Sequence, residues 1–130
     1  MKRRLLLWAL GGALSGAIWP IAGFAFANVD AGQAIENVEL PTIDGGRAML
    51  LSPRALANVF VFFRPNQDHS LQTLGQLAAL ESELAGKDLR FVAVTSDSYD
   101  PAEVGATARD AGIRMPVLVD AGDELYGALG

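Results

Sequence analysis

Residues 58–84 read NVFVFFRPNQDHSLQTLGQLAALESEL, and the succession of patterns within them decides the fold. Five β-branched or aromatic residues, Val59-Phe60-Val61-Phe62-Phe63, fit a central strand buried on both faces. A polar loop follows, Arg64 to His69. From Ser70 to Leu84, Leu71, Leu74, Leu77, Ala78, Leu80 and Leu84 return at helical spacing, with Gln72, Gln76, Glu81 and Glu83 mostly opposite. A strand passing through a short loop into a helix places that loop at the strand's C-terminal end. Open α/β sheets usually keep their ligands and chemistry there.

Upstream, Ile35, Val38, Leu40 and Ile43 are spaced apolar residues. Asp44-Gly45-Gly46 is a hairpin turn, and Ala48 to Leu51 returns as a second short strand. Ser52 as N-cap and Pro53 at the first helical position predict one helical turn to Ala57. Downstream, Gly86 stops the long helix and Leu89 to Thr95 is a strand. Asp100, Pro101 and Glu103 have capping-box spacing and open a helix that runs to about Ala111, where Gly112 ends it. Met115 to Val119 is a third apolar strand, with Pro116 near its start. Ala121-Gly122-Asp123 is a turn, and Glu124 to Gly130 begins another helix. The order after the hairpin is β-α-β-α-β-α, an α/β fold with parallel, right-handed crossovers. A domain of this kind is expected to continue for about 40–60 further residues, so the expectation is a C-terminal part that is incomplete, with fragment and natural full length both open.

Lys2, Arg3 and Arg4 precede an uncharged run, Leu5 to Ala27, that ends in Ala25-Phe26-Ala27. A basic start, an apolar stretch and an A-x-A site predict a signal peptide over residues 1–27. The competing reading is an uncleaved membrane anchor, with the membrane reached only through residues 5–27. Either reading makes the rest exported, to the periplasm or beyond the cell, or held at the membrane by its N-terminal segment. Residues 28–34 are then a flexible mature N-terminus and 35–130 the domain. Seven basic and 15 acidic residues follow position 27, a net charge of −8. That balance disfavours nucleic acid as a partner. The chain has no cysteine, so disulfides, thiolate metal sites, thiol catalysis and a lipid-modified N-terminal cysteine are excluded.

Three stretches carry a family resemblance: Leu40 to Ser52 (LPTIDGGRAMLLS), Val59 to Leu71 (VFVFFRPNQDHSL) and Met115 to Gly127 (MPVLVDAGDELYG). Together they resemble the thioredoxin-like superfamily. The branch they are most similar to is the redoxins, namely the alkyl hydroperoxide reductase/thiol-specific antioxidant group and the related exported thiol-disulfide oxidoreductases. The resemblance implies a thioredoxin-like fold with an N-terminal hairpin, and by descent an antioxidant or thiol-disulfide oxidoreductase activity. The family's cysteines fall near Asp68 and Leu71 of this chain, and neither position holds one. The family's cis-proline segment would lie beyond Gly130. A thiol at such a junction works because the helix N-terminus favours its thiolate. Asp68, His69 and Ser70 occupy the same electrostatic position without sulfur.

The degenerate active-site loop is therefore Arg64, Asp68, His69, Ser70 and Leu71, with no catalytic residue assigned. Consecutive side chains diverge, so Asp68-His69-Ser70 reads as a helix cap with an exposed histidine before it reads as a relay. Small-anion binding at the helix N-terminus near Ser70 is the alternative. His69 is the chain's one histidine. Asp68, Asp97 and Asp100 could add only oxygen, so no metal site is assigned. Arg64 is either an anion-binding group facing this loop or an ordinary loop arginine. Thr95 to Asp100 reads as turn chemistry and a helix cap. Gly11-Gly12 and Gly45-Gly46 open no helix after a strand, so no cofactor is implied. The expectation is a non-catalytic binding or scaffold module of the cell envelope with a protein partner there. The sequence does not fix its oligomeric state.

Overall fold

A computed structural model of the chain describes residues 28–130. The expected signal peptide or anchor lies outside the described residues. The described residues fall into two compact units, residues 35–126 and the pair of segments 28–34 and 127–130. In the second unit, the Asn28 side-chain amide donates to the carbonyls of Gly127 (2.9 Å) and Gly130 (3.0 Å). A turn closes beside it where the Gln33 N–H donates to Asp30 O.

The larger unit opens with strands β1 (Glu39–Pro41) and β2 (Arg47–Met49), an antiparallel hairpin. Gly45 has φ +91°, a conformation the turn requires and only glycine adopts freely. The Asp44 carboxylate accepts from the Thr42 hydroxyl and from the Gly46 N–H. An ion pair between Arg47 and Glu39 crosses the hairpin.

Three parallel strands follow in spatial order β3 (Ala57–Phe62), β4 (Leu89–Ser96) and β5 (Val117–Asp120). Helix α1 (Asp68–Glu83) links β3 to β4, and α2 (Pro101–Asp110) links β4 to β5. Gly122 and Asp123 both have positive φ in the short turn after β5, and α3 (Glu124–Leu129) comes next. The hairpin docks on the outer edge of β5 through a bridge between Thr42 and Leu118 and a bond from Ile43 N–H to Val117 O.

Register sorts the side chains. Val59 lies opposite Phe91, and Val61 opposite Ala93. These join Phe63, Leu74, Val104 and Ala108 in the core under α1 and α2. Phe60 and Phe62 lie opposite Val92 and Val94 on the other face. There Arg90 Nη2 donates to Met49 O (2.6 Å), so the end of β2 lies against that face. The strand buried on both faces is therefore β4, with five consecutive buried residues from Phe91 to Thr95. The expected central strand, β3, stands at the sheet's edge among the described residues and is only half-buried. Phe60-to-Phe63 hydrophobicity reflects one face on the core and one under aromatic neighbours. The Phe62 and Tyr126 rings meet edge to face at 5.3 Å.

The helical turn expected at Ser52–Ala57 is a hydrogen-bonded turn instead. The Asn58 side chain accepts from Ser52 N–H (2.7 Å) and donates to Ser52 O (3.2 Å), while Leu56 N–H donates to Asp88 O. Those bonds draw the chain into β3 before a helix can propagate. Asp100 and Pro101 do begin α2, although the Asp100 side chain makes no capping bond. Among the described residues no helix is long and apolar enough to cross a membrane.

Leu74 has no exposed surface. Leu74→Ala is expected to lower unfolding free energy by about 2–5 kcal/mol, read from urea denaturation. Hydrogen bonds from Thr42 and Gly46 hold the Asp44 carboxyl below its ordinary value of 3.8. A depressed folded-state pKa contributes stability above the unfolded pKa and loses it as pH falls through the folded one. The stability difference between wild type and Asp44→Asn should therefore be greatest near neutral pH and shrink below about pH 4, as acid titration of thermal midpoints would read.

Candidate functional site

A crevice of about 450 Å³ opens at the C-terminal ends of β3, β4 and β5. Its walls come from the loop after β3, from the end of β4 with Ser98 and Tyr99 beyond it, and from the turn after β5. Side chains that bond to the main chain fix the three segments. Thr95, almost fully buried, donates from Oγ1 to Phe63 O (3.1 Å) and ties the end of β3 to β4. Phe63 N–H donates to Val94 O (2.9 Å) on the same seam. Asp97 Oδ1 accepts from Gly122 N–H (3.1 Å), which joins the loop after β4 to the turn after β5.

Asp120 is the buried acid of this region, with 2 % of its surface exposed. Its Oδ1 accepts from Leu125 N–H and its Oδ2 from Tyr126 N–H, each at 2.9 Å. The carboxylate thus takes up two of the free donors in the first turn of α3, where the helix dipole favours negative charge. The sequence pattern V-L-V-D before A-G-D-E-L carried that signal: a strand-end acid, a glycine turn, then a helix. Reading the glycine turn alone missed it.

Of the five residues of the degenerate loop, the crevice gathers Arg64 and Ser70. Ser70 does not cap α1. The helix starts two residues earlier, at Asp68, with Gln67 at the capping position and no side-chain capping bond. The Ser70 hydroxyl instead accepts from the Arg64 N–H at 3.1 Å and pins the loop to the helix's first turn. Arg64 is exposed, and among the described residues the one ion pair is Arg47 with Glu39, so its guanidinium has no carboxylate partner there. Asp68 and His69 are exposed and lie outside the crevice, and Leu71 lines a separate shallow depression with Gly75 and Thr107. Asp68 places its own charge in the first turn of α1, where an incoming anion would sit. Among the described residues no three His, Cys, Asp or Glu side chains converge as metal ligands. Asp97 and Asp100 stay off the crevice wall, while Ser96, Ser98 and Tyr99 form it. The two serine hydroxyls meet at 2.9 Å, the turn chemistry expected for this run.

No family model matches the chain, and no curated protein matches it. Solved structures do. A secreted disulfide oxidoreductase of Mycobacterium tuberculosis, homologous to Escherichia coli DsbE, superposes with TM-score 0.58 at 14 % identity, over 70 % of this chain and 66 % of that one. A hypothetical protein of Sinorhizobium meliloti 1021 gives TM-score 0.70 at 22 % identity, over 79 % and 60 %. A thiol:disulfide interchange protein of the thioredoxin family from Chlorobium tepidum TLS gives 0.63 at 20 %, over 77 % and 68 %. The fold is thioredoxin-like. The solved structures it resembles include thiol-disulfide oxidoreductases, and this chain carries their architecture without a cysteine. It spans less than two-thirds of the length of the first two structures.

Asp120→Ala removes one acceptor for each of two backbone N–H groups. The expected cost is about 1–3 kcal/mol. Amide exchange at Leu125 and Tyr126 should quicken while Leu74 exchange keeps pace with global unfolding.

Proposed function

We propose that this chain is an exported thioredoxin-like module that binds a protein in the cell envelope and transfers no electrons itself. The observation that carries the reading is the junction between β3 and α1. Thiol-disulfide exchange needs a thiolate to attack a disulfide sulfur. Here no sulfur nucleophile exists in any of the 130 residues, and a hydroxyl occupied by a main-chain N–H closes the junction. What remains is a crevice lined by Arg64, which forms no ion pair among the described residues, by Ser70, Ser96 and Ser98, and by the tyrosines Tyr99 and Tyr126. Tyrosine and arginine are the residue types that dominate protein-binding surfaces.

Export is supported by the basic, apolar and Ala25-Phe26-Ala27 succession at the start of the chain and by the secreted status of the mycobacterial neighbour. Descent from an antioxidant or thiol-disulfide oxidoreductase accounts for the fold and is the second reading. It requires sulfur from another chain for any turnover.

The full chain, incubated with dithiothreitol and either insulin or hydrogen peroxide, should consume neither faster than buffer. Turnover above that background would overturn the binding reading in favour of an enzyme. Affinity capture from envelope extract should retain the same species with wild type and lose it with Arg64→Ala.

A further inference from the structure

A second pocket, of about 500 Å³, lies at the opposite end of the sheet, where β4 and β5 begin and α1 ends. Arg54, Lys87, Arg90 and Arg114 line it. These are four of the seven basic residues that follow position 27, in a segment with 15 acidic ones. None of these four forms an ion pair among the described residues. Of the two acids at the pocket, Glu81 already accepts from the Arg114 N–H at 3.0 Å; the other is Asp88.

The C-terminal end of α1 accounts for some positive charge, since a helix dipole draws cations to its last turn. It does not account for Arg54 and Arg114, which come from the segments before β3 and β5. An arginine needs several acceptors for its planar set of five donors, and oxyanions supply them in pairs. The apolar side chains of Leu84, Phe91 and Met115 complete the walls, so the space suits an anion carried on an organic body.

We propose that this pocket is a binding site for a small organic phosphate. Its oxygens are taken by Arg54, Lys87 and Arg114, and its body lies against Leu84 and Met115. The site is separate from the crevice beyond β3, and its occupancy does not depend on what that crevice binds.

The test is an amide NMR titration of the full chain with inorganic phosphate and then phenyl phosphate, at constant ionic strength against chloride. Saturable shifts are expected at residues 86–91 and 114–115, with Ser70 and Ser98 unmoved. Phenyl phosphate should bind several-fold tighter than inorganic phosphate, because it also buries apolar surface. Lys87→Gln and Arg114→Gln, both at exposed positions, should each weaken binding about tenfold. Arg47→Gln, which removes a cation already paired with Glu39, should leave binding unchanged. Shifts matching those of chloride, shifts centred on the crevice, or equal affinity in the Lys87 and Arg114 variants would each overturn the proposal.

Discussion

The structure depends on burying both faces of one strand. β4 runs Leu-Arg-Phe-Val-Ala-Val-Thr-Ser, and its middle five residues are lost to solvent on either side. Burial of that kind leaves β4 no edge to expose, so β3 and β5 must flank it in parallel. Parallel neighbours in turn require crossovers, and α1 and α2 supply them over the face that holds Phe91 and Ala93. The other face must be covered by what precedes and follows. The hairpin strap at Met49 to Ser52 and the start of α3 meet that demand.

The same constraint locates the two pockets. Parallel strands collect their loops by polarity, so the ends of β3, β4 and β5 meet on one side and their beginnings on the other. The first side is held by polar side chains that spend their bonds on the main chain: Ser70 on Arg64, Thr95 on Phe63, Asp97 on Gly122 and Asp120 on α3. Rigid support of this sort keeps a concave surface in shape without any chemistry in it. The second side is tied in the same way, Asn58 on Ser52, Glu81 on Arg114 and Arg90 on Met49, and its cations form no ion pair among the described residues. A thioredoxin-like scaffold that has lost its sulfur therefore retains two electrostatically unlike ends.

Much of the architecture was legible in the sequence because strong local patterns agreed with the global fold. The run from Val59 to Phe63, the heptad-like leucines of α1 and the Asp100-Pro101 start each specify one element, and the structure has all three. The failures have a common physical source. Ser52-Pro53 satisfied every local rule for a helix start, yet Asn58, six residues on, bonded both sides of Ser52 and pulled the segment into the sheet. Ser70 looked like a cap because capping is what serine does before an apolar run, yet its hydroxyl was claimed by Arg64 N–H across the loop. Strand order was likewise invisible, since β3 and β4 are both apolar runs and only spatial neighbours distinguish middle from edge. Asp120 required knowing that a turn of two positive-φ residues would return the chain over its own carboxylate.

The outer margin of β3 carries a consequence of its own. Among the described residues no strand pairs with it, and Ala57 to Phe62 contains no lysine, no proline and no charge of any kind. Leu56, just before it, is 83 % exposed. Natural sheets usually blunt such borders with charge, bulges or very short strands. A bare, uncharged border of main-chain donors and acceptors is a template for whatever extended segment reaches it first. An extended segment seeking main-chain partners would find a row of them along those six residues.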